Sequence, residues 1–350
     1  MTPKDNGSPK RGFSARLVVL TAFIGLLLAG AYALWAPRRE SLVVYCAHDS
    51  IYAESILRQF ERKTGIPVAV RYDTEATKSL GLVELLLQEK GHARCDVFWN
   101  NELLGTLRLA DAGLLLPYRG SGYNRIPAAF KDPDGCWAGF AARLRLWIVQ
   151  TNHLAATEEA VRQATSGSLD RIVIAKPLYG TTRTQYTILW NLWGRDKLVG
   201  WHRDRLARHL RVVDGNAMVK DLVSAAVCDL GWTDTDDFFE ARDEGKPVAM
   251  LPVRLEDGKT ICIPNTVAII RGTQRLDKAQ KLVDFLLSQE CELALACSKS
   301  RQIPLGPVET ARLPEDVKQL LPWAADGTSL GGLGAASTEC LGWLKSDYLQ

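Results

Sequence analysis

A two-lobed α/β fold, each lobe a mostly parallel sheet flanked by helices and joined to the other through a two-strand hinge, is predicted by three features of the sequence. Short β-prone apolar runs alternate with amphipathic helical stretches from Ser41 onward. Two longer strand-rich stretches, Trp137 to Gln150 and Thr260 to Ile270, are long enough to leave one sheet and enter another. The 350 residues, 47% hydrophobic and 24% charged, can fill two ordinary cores, which excludes disorder for most of the chain.

In order, Leu42 to Cys46 reads as the first strand. Ile51 to Lys63 follows as a helix with apolar residues at Ile51, Ala53, Ile56, Leu57 and Phe60, closed by Gly65 as a left-handed cap. Ile66 to Tyr72 is the next strand, with its proline near the edge. A helix from Thr77 to Lys90, a strand from Cys95 to Trp99 and a helix from Leu103 to Ala112, ended by Gly113, complete the alternation expected of a covered parallel sheet. Beyond the first crossover, Ile172 to Ala175 is a compact buried strand and Thr184 to Gly194 an aromatic-rich helix. Trp201 to Leu210 is a basic amphipathic helix, Val219 to Ala226 another helix, and Val227 to Trp232 a strand. After the second crossover, Gln274 to Ser288 is amphipathic and returns to the first lobe. The Gly-rich segment from Gly327 to Ser337 reads as a loop before a short terminal helix. The expected division is therefore lobe 1 at 41–143 plus 265–320, lobe 2 at 144–264, and a C-terminal tail with a short helix at 321–350.

The first forty residues differ in kind. Lys4, Lys10, Arg11 and Arg16 precede an apolar run from Leu17 to Ala36, and Pro37, Arg38, Arg39 and Glu40 follow, the layout of an export signal. Ala31 and Ala33 suit a signal peptidase, while a run of about 20 apolar residues also suffices for a retained anchor. Either way the folded part is expected outside the cytoplasm. No cysteine ends the run, which disfavours a lipid anchor. Eight cysteines, none in C-x-x-C, argue against a zinc or redox motif; an oxidising compartment leads us to expect one or two disulfides. A net charge of +3, with no basic run interleaved with aromatics after residue 40, excludes nucleic acid as a partner.

Ligands of open α/β sheets sit beyond the carboxyl ends of strands. The candidates there are His48, Asp49 and Ser50; Asn100 and Asn101; Gly180, Thr181 and Thr182; Gly215 with Asn216; and Asp234, Thr235, Asp236 and Asp237. Gly180, Thr181, Thr182 and Asn216 open helices, so they either hold a phosphate or carboxylate or serve as ordinary N-caps. Asp234, Asp236 and Asp237 suit a cation, an amine or sugar hydroxyls, or form a solvated acidic turn. His48 ligates a metal, donates to an anion or is a partly exposed loop histidine. Trp99, Trp232 and Tyr179 wall the cleft or belong to the core. There is no G-x-S-x-G or H-E-x-x-H, so a hydrolase is disfavoured and no catalytic residue is assigned.

Seven runs occur in a telling order: Val44-Tyr45-Cys46-Ala47-His48-Asp49, Phe60 to Val68, Cys95-Asp96-Val97-Phe98-Trp99, Ala110 to Leu115, Ala175 to Thr182, Asp214 to Val219 and Gly231 to Asp237. Over roughly residues 42 to 305 the chain resembles the ferric-iron-binding type of periplasmic solute-binding protein. The resemblance implies a class II, hinge-closing receptor that passes its ligand to an ABC permease and needs no resident cofactor; a closing cleft suits a monomer. Where that family has two adjacent tyrosines this chain has Asp236 and Asp237, and Phe238 and Phe239 offer no lone pair in their place. Asn101, with Glu102 beside it, stands at the family's glutamate. Two ligand classes follow. Ferric iron would be held by Asp236, Asp237 and His48 with a synergistic anion; an organic anion such as a phosphonate or phosphosugar would sit at the threonine and asparagine helix ends. The paired aspartates also suit a polyamine. The alternative role is a membrane-anchored sensor of the same fold.

Overall fold

The computed structural model describes residues 41–73 and 80–349. The expected export segment and the start of the helix expected from Thr77 lie outside the described residues. Among the described residues no helix is long and apolar enough to cross a membrane.

In chain order the elements are β1 (Leu42–Cys46), α1 (Ser50–Thr64), β2 (Val68–Tyr72), α2 (Leu80–Gln88), β3 (Val97–Asn100), α3 (Leu104–Asp111), β4 (Leu115–Leu116), α4 (Ser121–Arg125) and β5 (Ala138–Gln150). Then come α5 (Glu158–Ala164), β6 (Ile172–Ala175), α6 (Gly180–Trp193), α7 (Arg195–Ala207), β7 (Arg211–Val213), α8 (Asn216–Ser224), β8 (Leu230–Asp234), α9 (Thr235–Asp243) and β9 (Val248–Pro252). The chain closes with β10 (Cys262–Ile270), α10 (Leu276–Leu286), α11 (Gln289–Ala296), α12 (Glu315–Ala325) and α13 (Leu333–Tyr348).

The strands run in the order β2-β1-β3-β10-β5-β8-β6-β7. β1 is parallel to β2 and β3, and β6 is parallel to β7 and β8, so each end of the sheet is built from βα units. Between them β5 changes partner along its length. Ala138 to Leu144 pairs with β10, and Arg145 to Gln150 pairs with β8 and β9. This thirteen-residue strand carries the chain from one half to the other, and the segment 253–261 brings it back into β10. Just before the change of partner the register slips opposite Pro264 and Asn265, and Ala141 takes φ +43. The extra residue is a bulge, which bends the strand and re-aims the side chains that follow. Leu144, Leu146 and Ile148 join the apolar core of the second half, while Arg143 and Arg145, of opposite parity, face the cleft side.

Three packed regions hold the frame. Leu42, Val44 and Val97 meet Phe60 of α1 and Leu286 of α10. Leu144, Leu146 and Val173 meet Val219 and Val223 of α8. Tyr186 and Trp190 of α6 stack with Trp343 of α13. Each fully buried aliphatic side chain contributes about 1.5–3 kcal/mol. Gly231 shows how closely β8 is packed. A Cβ there would lie 2.5 Å from Val219 Cγ1 and 3.1 Å from both Val173 Cγ1 and the Val173 carbonyl oxygen. Gly231→Ala should cost about 1–3 kcal/mol through overpacking, read as a lower urea midpoint at unchanged slope; an unchanged midpoint would show that the β8–α8 contact yields freely.

Several expectations are corrected. The Gly-rich segment, expected as a loop before a short helix, is helical from Leu333, and α13 is sixteen residues long with Leu333, Ala336, Cys340, Leu341 and Leu344 buried. Its small residues permit close approach of helices instead of breaking the helix. α12 spans the expected boundary between lobe 1 and the tail. The aspartates after β8 lie in the first turn of a helix, α9, instead of an acidic turn, and β9 was not anticipated. No disulfide joins the eight cysteines; Cys46, Cys95, Cys228, Cys262, Cys291 and Cys340 are buried. Cys262 and Cys291 are enclosed where desolvation raises the thiol pKa, as expected for small apolar core residues. Ile51, expected on the buried face of the first helix, is 73% exposed at the mouth of the cleft.

Candidate functional site

Four helices begin at one cavity of about 280 Å³. Asp49, Ser50 and Ile51 come from the start of α1, Tyr179 to Thr182 from α6, Gly215 to Ala217 from α8, and Asp234 with Asp236 and Asp237 from α9. The first turn of each helix leaves N–H groups without intrahelical acceptors and carries partial positive charge. α9 supplies its own compensation through Asp236 and Asp237, whereas α6 and α8 have no acidic residue in the first turn. Gly180 opens α6 at φ +53, a left-handed conformation that glycine adopts without strain.

Beneath the floor lies Arg145, fully buried. Its Nη1 donates to Asp234 Oδ1 at 2.7 Å and Thr181 Oγ1 at 3.2 Å, Nη2 donates to Thr182 Oγ1 at 3.2 Å, and Nε to Gln185 Oε1 at 2.9 Å. Thr181 Oγ1 donates to Asp234 Oδ2 at 2.6 Å, Asn216 Nδ2 donates to the same oxygen at 3.0 Å, and Thr182 Oγ1 donates to Asn216 Oδ1 at 3.1 Å. Thr181, Thr182 and Asn216 are therefore not side-chain N-caps. They tie the starts of α6 and α8 to β8 around one guanidinium.

A second buried pair forms the wall. Arg143 Nη1 donates to Asp236 Oδ2 at 3.2 Å and Nη2 to the Asn101 carbonyl at 2.5 Å. Burial opposes charge on Arg143, but Asp236, Asp234 and Asp49 outweigh it and hold its pKa above the ordinary value. Burial, only partly offset by Arg143 and reinforced by Asp234 and Asp49, holds the Asp236 carboxyl above the ordinary carboxylate range. Asp236 Oδ1 is buried and has no hydrogen-bond donor. Asp237 Oδ2 accepts from Thr233 Oγ1 at 2.5 Å. Tyr52, Ala175, Lys176, Asp214 and Glu240 complete the lining. Burial first, then Asp236 and Glu240, pushes the Tyr52 phenol well up, so it is a neutral donor.

Ten of the residues expected from sequence thus line the cavity: Asp49, Ser50, Asn101, Gly180, Thr181, Thr182, Asn216, Asp234, Asp236 and Asp237. Three do not. His48 is buried behind the wall between Trp99 and Tyr52, with Nε2 3.0 Å from Gln302 Nε2. Asn100 is buried and donates to Glu102 and Thr106, and Thr235 is buried with its hydroxyl accepting from the Leu144 N–H. Of the acidic residues, Asp234, Asp236 and Asp237 bring carboxylate oxygens within 4.8 Å of one another; His48 is not in that group. Tyr179 lines the cavity, while Trp99 and Trp232 are core. Arg143 and Arg145 went unnoticed in the sequence, although two charges at alternate positions of an otherwise apolar strand require buried partners.

This arrangement, a mixed sheet in two halves with helix N-termini and polar side chains converging between them, is that of the two-lobed periplasmic binding proteins. No protein-family model matches the chain. It is 24% identical over 294 residues to the major ferric iron-binding protein of Neisseria meningitidis serogroup A, covering 80% of this chain and 86% of that one. It is 22% identical over 307 residues to iron uptake protein A1 of Synechocystis, covering 83% and 81%. Iron-bound HitA from Pseudomonas aeruginosa has a similar structure, with TM-score 0.74 and 20% identity over 88% of this chain and 98% of that one. So does the periplasmic binding protein AfuA from Actinobacillus pleuropneumoniae with fructose-6-phosphate bound, with TM-score 0.67 and 18% identity over 87% and 98%. The fold is shared with these proteins, and the relatives named here are binding or uptake proteins, not enzymes.

Proposed function

We propose that the chain is the extracytoplasmic solute-binding component of an ABC importer, and that it captures a small organic anion. The anionic head, a phosphate or phosphonate, sits at the starts of α6 and α8; a hydroxyl- or ammonium-bearing body reaches Asp236. The buried, donorless Asp236 Oδ1 carries the reading. A buried carboxylate oxygen without a donor is costly, and a ligand O–H or N–H satisfies it. The two helix starts without acidic residues supply N–H groups for the head. The fructose-6-phosphate held by AfuA is a ligand of this type. Lobes at 41–143 plus 265–320 and at 144–264 would close about β5 and the return into β10, with affinity set by the extra contacts of the closed state. We assign residues 1–40 to export, with 17–36 either cleaved or retained as an anchor, and expect a monomer that docks on a membrane permease.

Ferric iron with a synergistic anion is the second reading, favoured by the three clustered carboxylates and by the iron-binding relatives. Against it, Asp234 and Asp236 each already hold a guanidinium, so a trivalent cation would enter beside two buried cations. Calorimetry of the full chain against a hexose phosphate, an aminoalkylphosphonate, spermidine and ferric citrate separates the readings. A phosphorylated or phosphonate ligand should bind, and Asp236→Asn should weaken it about 10- to 100-fold, the scale of a charged hydrogen bond. Binding of ferric citrate alone, lost in Asp236→Asn and Asp237→Asn, would replace this reading by the iron one.

A further inference from the structure

A second cavity, of about 210 Å³, lies away from the cleft where α3, α6 and α13 meet. α3 contributes Leu104, Leu107, Arg108 and Asp111; α13 runs along it from Gly334 to Lys345; α6 contributes Arg183. Arg183 is 4% exposed. Among the described residues the one hydrogen bond of its side chain runs from Nη2 to Ser337 Oγ at 3.1 Å, and its buried Nε has no acceptor. No carboxylate among the described residues lies within ion-pair distance of it. Glu102 is felt only at a distance and spends its oxygens on the Leu104 and Gly105 N–H groups, Asn100 and Thr184. Arg108 is engaged by both oxygens of Glu84. Lys345 adds a cation to the lining and Asp111 an anion.

A guanidinium buried without a counter-ion is strongly disfavoured, and its planar fork fits a carboxylate through two parallel N–H bonds. Leu104, Leu107 and Leu341 supply the apolar part of the wall, beside Thr338. We propose that this cavity is a second binding site, for a small organic carboxylate whose oxygens pair with Arg183 and whose apolar portion rests on those leucines. The site is independent of the ligand in the main cleft. Because α13 packs on both α3 and α6, occupancy would also brace the two elements against each other.

Thermal unfolding of the full chain with butyrate, against chloride at equal ionic strength, tests it. Near-saturating butyrate should raise Tm by about 2–5 °C, as expected for a ligand bound only by the folded state. Arg183→Met should abolish the rise. Gly342→Leu guards against a misfolded variant. Gly342 lines the cavity and a Cβ there meets no atom within 4 Å, so a leucine fits without displacing Arg183, takes up part of the cavity and improves the helix. It should unfold no lower than the parent and show no butyrate response. No rise in the parent chain, or a rise that survives in Gly342→Leu, overturns the proposal; a rise lost only in Asp236→Asn places the carboxylate in the main cleft and overturns it equally.

Discussion

Arg145→Met should lower the stability of the chain by about 3–5 kcal/mol, the cost of leaving a buried charge without its partner. The guanidinium is fully buried and joins β5, β8 and the starts of α6 and α8 through Asp234, Thr181, Thr182, Gln185 and Asn216. Methionine fills much of the volume, so packing loss is small. The unfavourable part is Asp234, 2% exposed, which keeps its bonds from Thr181 and Asn216 but loses its cation. The double variant Arg145→Met, Asp234→Asn should therefore recover a substantial part of the loss, a coupling that independent sites would not show. Urea unfolding of parent, single and double variants measures this. A single variant within 1 kcal/mol of the parent, on the order of an exposed pair's contribution, would mean that water replaces the guanidinium and that the network is not a stability element.

The frame was legible because its signals are local. β1 and β3 are apolar runs of strand length, α1 ends at Gly65 in the left-handed conformation, and β5 is too long for one sheet. Where reading failed, tertiary packing overrode composition. Glycine and alanine near 334–336 weigh toward loop in isolation, yet α13 needs small residues to lie against α3, where a Cβ at Gly334 would sit 3.2 Å from Asp111 Oδ2. Cysteines suggested cross-links because export permits them; burial of Cys46, Cys228 and Cys291 in apolar surroundings shows a packing role.

Candidate site residues were legible to the extent that strand ends could be located. Asp49, Gly180, Asn216 and Asp234 follow strands and reach the cavity. His48 and Asn100 are one residue too early, and in extended backbone one step reverses the side chain's direction. Arg143 and Arg145 were hidden because they lie within a strand instead of beyond it, and the bulge at Ala141 that sets their direction leaves no mark in the sequence. Their carboxylate partners come from 93 and 89 residues away.

Acid should unfold the chain through His202 before it reaches the carboxylates. His202, on α7, is fully buried; its Nδ1 lies 2.9 Å from the Tyr186 hydroxyl of α6 and its Nε2 2.8 Å from the Tyr348 hydroxyl of α13, edge-on to Trp343. Burial lowers its pKa to about 4, with Asp347 opposing and Arg203 and Arg205 adding to the shift. The unfolded chain takes up this proton near pH 6.5, the folded chain near 4, so in that window the unfolded state binds more protons and stability rises with pH. Stability is fully present above about 6.5 and falls toward pH 4, by about 3 kcal/mol from this group at 1.36 kcal/mol per pH unit. Between pH 7 and 5 the loss is about 2 kcal/mol on the same basis. Urea midpoints at those two pH values should show it in the parent chain, and His202→Gln, less stable at pH 7, should lose most of the slope. An equal slope in both would trace the acid sensitivity elsewhere. Because His202 holds the last turn of α13 to α6 and α7, the same protonation should loosen the C-terminal helix first, so that protease cleavage near Tyr348 at pH 5 precedes loss of the sheet.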